Sequence, residues 1–113
     1  MDLLAKIIAY LASVLDVPVA TDFPATPPTS MVVVSRTGGS ADRFLQSPRL
    51  TVTATAESDL AASTLLAEVC TACLEMPDHM VEVCTATIDS TYSAFADGAF
   101  AWAATVSLLA YSD

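Results

Sequence analysis

The chain has 113 residues, enough for one domain with its own core. Charged residues make up 15%, against about 25% in an average soluble domain, so part of the outside is expected to be buried against other subunits. The formal net charge is −9, with only Lys6, Arg36, Arg43 and Arg49 positive; that supply is too thin for a phosphate-binding surface and argues against stable nucleic-acid binding.

Leu3, Leu4, Ile7, Ile8, Leu11, Val14 and Leu15 recur at helical spacing, which predicts an amphipathic helix over residues 2–15 with Asp2 as its cap. Lys6 interrupts the apolar run and Asp16 ends it, so it is expected to be neither a secretion signal nor a membrane span. Residues 17–29 contain Pro18, Pro24, Pro27 and Pro28 and are expected to form an extended arm or edge segment. MVVVS (31–35) reads as a short buried strand.

Residues 36–47 are expected to be a loop, with positive φ available at Gly38 and Gly39 and Pro48 closing it. Leu50, Val52, Ala54 and Ala56 then alternate with Arg49, Thr51, Thr53 and Thr55, the pattern of a half-buried antiparallel strand. A second helix is predicted from Glu57 or Ser58, with Ala62, Leu65, Leu66, Val69, Cys73 and Met76 as its buried stripe and Pro77 as its stop. Residues 81–89 read as a strand with Cys84, Ala86 and Ile88 on one face. A loop through Tyr92 and Phe95 is expected to end in the turn Asp97–Gly98. A long strand over 99–111 then places Phe100, Trp102, Ala104, Val106 and Leu108 on one side. The order predicts a single α+β domain over 1–113: an antiparallel sheet of four to five strands with two helices mainly on one face.

Cys70, Cys73, His79 and Cys84 stand as C-x2-C-x5-H-x4-C, one residue from the spacing of a zinc knuckle. They could serve a small zinc-binding adaptor. However, Cys70 and Cys73 fall on or beside the buried helical stripe, where cysteine acts as a small hydrophobe, and the surrounding charges are all acidic. Core packing without metal is the expectation. Three cysteines without a secretion signal also point to a reducing compartment. His79 is the single histidine, in a presumed helix-to-strand turn, so no nucleophile–base pair suggests itself and no catalysis or cofactor is expected. Arg36-Thr37-Gly38-Gly39-Ser40 lacks the Lys-Ser/Thr of a phosphate-binding loop.

The string PATPPTSMVVVSRTGG, then PRLTVTATAESDLAASTLLAEV and a strand after Asp97–Gly98, resembles the tail terminator (tail-completion or minor tail) family of long-tailed bacteriophages. The likeness spans roughly residues 17–111 and leaves out the opening helix. It implies a non-enzymatic virion protein, assembled in the host cytoplasm and placed at the head-proximal end of the tail. Its subunits would close a ring, commonly a hexamer, that stops growth of the tail tube. Expected partners are other copies, the tail tube protein and the head connector or neck protein. Genomic DNA would pass through the lumen unbound, and an acidic wall would keep it mobile. A different head–tail joining role is the neighbouring alternative. For the subunit contact the expected residues are Arg36, Gly38, Gly39, Arg43, Phe44, Leu45 and Arg49, with Phe44 and Leu45 as anchors.

Overall fold

The computed structural model describes residues 3–22, 29–41, 43–96 and 99–111. Its elements are α1 (Leu3–Val14), β1 (Val19–Ala20), β2 (Met31–Ala41), β3 (Leu45–Ala56), α2 (Asp59–Leu74), α3 (Met76–His79), β4 (Val83–Ala96) and β5 (Ala99–Tyr111). The fold is α+β: a five-stranded sheet in the order β1-β2-β3-β5-β4, antiparallel throughout except for the short parallel pair β1–β2. The long axis of 42 Å is set by the sheet, since thirteen residues of β5 at about 3.3 Å each span that distance.

One face of the sheet carries the core. Val32 and Val34 of β2, Leu50, Val52 and Ala54 of β3, and Ala104, Val106 and Leu108 of β5 pack beneath the helices. Leu3, Ile7 and Leu11 of α1 are buried one turn apart, as the helical period requires, and burying each contributes about 1.5–3 kcal/mol. A charge at Ile7 would undo this docking. Ser58 caps α2 by accepting from Ala61 N–H at 3.1 Å. The whole anticipated stripe of that helix is buried, from Ala62 to Cys73, and Met76 follows it inside. Trp102 Nε1 donates to Asp59 Oδ1 at 3.0 Å, pinning the start of α2 to β5.

Three expectations need correction. Residues 36–47 are not a loop: β2 runs on to Ala41 and β3 begins at Leu45, so the segment is the far half of a β-hairpin. The two glycines mark a bulge, where the register shifts between Arg36 and Gly38. Pro48 is tolerated inside β3 because the β3–β5 ladder skips Ser47 and Pro48, resuming at Arg49 opposite Ser107. The segment through Tyr92 and Phe95 is likewise strand, since β4 continues to Ala96 with a bulge between Ile88 and Ser90. Its Thr, Tyr and Phe residues suit a pleated strand. Finally, α2 ends at Leu74, and Pro77 lies in the first turn of α3 rather than stopping α2; there its missing N–H costs nothing.

Cys84 also departs from its expected place. Val83, not Cys84, joins the core, because a bulge between Val83 and Thr85 shifts the alternation. The proposed Asp2 cap, the Asp97–Gly98 turn and residues 23–28 of the arm lie outside the described residues. Within the arm, Val19 and Ala20 form the expected edge segment. Among the described residues no helix is long and apolar enough to cross a membrane.

Candidate subunit interface

The far half of the β2–β3 hairpin holds all seven residues expected at a contact, and it presents them on different sides. Arg36 leans toward α1, lining a hollow with Leu3, Leu4, Ile7, Pro48 and Leu50. Its Nη1 reaches Gln46 Oε1 at 3.5 Å, at the limit of a hydrogen bond. Arg49 lines a separate hollow with Ser40, Ser47 and Ser107. Arg43 stands at the tip, its guanidinium 5.6 Å from the centre of the Phe44 ring. Phe44 is 71% exposed, and Tyr111, the strand partner of Leu45, is 57% exposed beside it. Leu45 itself is half-buried. The three arginines therefore form no single patch; one cation–aromatic tip projects, and two flank its stem.

Gln46 holds the base of this tip. It is 8% exposed, and its Nε2 donates to the Tyr111 carbonyl at 3.1 Å. Gly39 takes φ +115°, and a Cβ there would meet the backbone of Ser47, Pro48 and Arg49. Gly38 has open space around it.

Away from the hairpin the chain is acidic. Glu68 and Glu75, seven residues apart on one side of α2, rim a groove of about 450 Å³ between α1 and α2. Val14, Leu15, Ala67, Thr71 and Ala72 form its floor and walls. Tyr10 donates to the carbonyl of Ala72, one of the residues lining the groove, at 2.8 Å and stacks on His79 with ring centres 5.6 Å apart. Burial pushes the Tyr10 phenol up, and the nearby Glu75, Cys73 and Asp78 add to that. The sequence reading missed this groove, because it exists only once two helices lie side by side. Its one visible sign was that Val14 and Leu15 extend the apolar run of α1 past the last buried residue, Leu11.

The zinc-knuckle residues go to different places. Cys73 is wholly buried, and burial first, then Cys70, pushes its thiol up to about 12. Cys70 lines a hollow with Leu66, Ile88 and Trp102, Cys84 sits at the β4 bulge, and His79 is taken up by Tyr10. All three cysteines are free thiols. Among the described residues no three His, Cys, Asp or Glu side chains gather in a group that could hold a metal ion.

No protein-family model matches the chain, and no curated protein matches it significantly.

Proposed function

We propose that the chain is a structural subunit that closes into a ring at the head-proximal end of a long-tailed phage tail, ends growth of the tail tube and receives the head connector. The observation that carries this reading is the division of charge. The hairpin from Arg36 to Arg49 holds three of the four cations and one acid, leaving one cation and twelve acids elsewhere. Copies of such a chain repel one another everywhere except where a hairpin meets an acidic surface, which fixes one orientation of approach.

Three further features support it. The sheet face away from the helices carries Ser35, Thr51, Thr53, Thr105, Ser107 and Thr87, and its charges are Arg49, opposite Ser107, and Asp89, which accepts from the Ser107 hydroxyl. The α+β fold is of the class that the resemblance in residues 17–111 implies. The acids left outside the contacts keep DNA in the lumen mobile by repulsion.

The test is assembly of tail tubes from purified tube protein of the same phage, with and without this chain, followed by electron microscopy. Tubes of limited length carrying the chain at one end support the reading. Tubes of unchanged length with no bound chain overturn it.

A further inference from the structure

We propose that the hairpin tip of one copy seats in the α1–α2 groove of a second copy, with the Phe44 ring against Val14 and Leu15 and the Arg43 guanidinium between Glu68 and Glu75. This names the contact that ring closure needs, and it rests on the ring reading above.

The tip has the form of a docking element. Phe44 stands 71% exposed at the end of a hairpin braced by Gln46, so its position is set before a partner arrives. Arg43 covers one side of its ring. An aromatic–arginine pair that is already ordered is the kind of anchor on which binding energy concentrates.

The groove has the complementary form. Its volume of about 450 Å³ lies within the ~300–1,000 Å³ typical of pockets that take a compact guest. Val14, one of the residues lining it, is half exposed, so apolar surface there is open to water. Both charged residues lining it are acids. A neutral apolar guest would leave Glu68 and Glu75 without a counter-charge; a guest with a cation beside an aromatic ring serves both parts of the site.

Tip and groove belong to different surfaces. Among the described residues no hairpin residue lines the groove, so the described tip of a copy does not fill its own. The contact is therefore heterologous, each copy giving a tip to one neighbour and a groove to the other, and such a contact closes into a ring when its rotation permits.

The test is a charge exchange read by sedimentation velocity over a concentration series. Arg43→Glu alone, and Glu68→Arg with Glu75→Arg alone, are each expected to weaken self-association by roughly 10- to 100-fold. All three changes in one chain are expected to restore it. Phe44→Ala should weaken association without altering the circular dichroism spectrum. If the double arginine variant folds poorly, Glu68→Gln with Glu75→Gln gives the same direction of effect. Wild-type association with no response to any of these variants overturns the groove contact and leaves the ring standing. Loss in Arg43→Glu that the exchange does not restore also overturns it, because the tip then meets some other surface. A wild-type chain that stays monomeric alone and with tube protein overturns the ring reading and this contact together.

Discussion

Gly39 and Pro48 face each other across the β2–β3 hairpin so closely that a Cβ on the glycine would lie 2.7 Å from the proline Cα. With φ at +115° as well, Gly39 is a position that only glycine fills without strain. Gly39→Ala should destabilise the fold by about 1–3 kcal/mol and loosen the tip, whereas Gly38→Ala, with open space around it, should stay within about 0.5 kcal/mol of wild type. Urea unfolding of both variants checks the contrast. Equal effects would mean that the bulge does not hold the hairpin in this register.

Tyr10 ties the two long helices together through its bond to the Ala72 carbonyl and its stacking on His79. Tyr10→Phe keeps the ring and loses the bond, so a cost of about 1 kcal/mol is expected. Ala72, which accepts this bond, also lines the groove, and the same variant should also weaken self-association. A variant as stable as wild type would show that the phenol finds an equal partner in water.

The Cys73 thiol holds its proton to about 12 in the folded chain, against 9.0 when unfolded. Between those values the unfolded chain has lost the proton and the folded chain has not, so stability should fall as pH rises from about 9 toward 12. Cys73→Ala should cost about 1–2 kcal/mol at neutral pH and make the alkaline decline shallower. In the native protein, Cys70 and Cys84, both half-buried, should react with a thiol reagent well before Cys73. Labelling of Cys73 at the same rate would contradict its place in the core.

Lys6 Nζ lies 2.8 Å from Glu82 Oε2, joining α1 to the start of β4. The hydrogen bond from Lys6 holds the Glu82 carboxyl below its usual range. A carboxyl that gives up its proton more readily when folded stabilises the fold above the unfolded carboxylate range, and this is lost as pH falls through the folded value. Lys6→Met should therefore lower Tm slightly at neutral pH and make no difference in strong acid. A gap that widens on acidification would show another role for Lys6.

Where burial alone decides structure, the residues were readable in order. The stripe from Ala62 to Cys73, the alternation from Leu50 to Ala56 and the face from Trp102 to Leu108 all follow from one period meeting one covered side. Two hairpin arms were hidden by the same cause. Neither residues 36–41 nor residues 90–96 follow the apolar–polar alternation of a half-buried strand, so nothing separates them from a loop until a partner strand pairs with them, and Gly38–Gly39 gives the same signal as a turn or as a bulge. Phe100 shows the limit from the other side: it continues the apolar face of β5 yet lies 53% exposed, past the end of the helical cover. Arg43 and Phe44 marked the tip in the sequence as a candidate contact, and the structure places them at the exposed end of the hairpin. The groove between α1 and α2 was not legible, because Val14 and Glu75 become neighbours only in the folded chain.

The ring is tested most directly by the native mass of the purified chain over a concentration series, alone and with tube protein present. A closed ring gives a single stoichiometry that rises in population with concentration and grows no further. A monomer under every condition, or an open polymer that lengthens without limit, would contradict it.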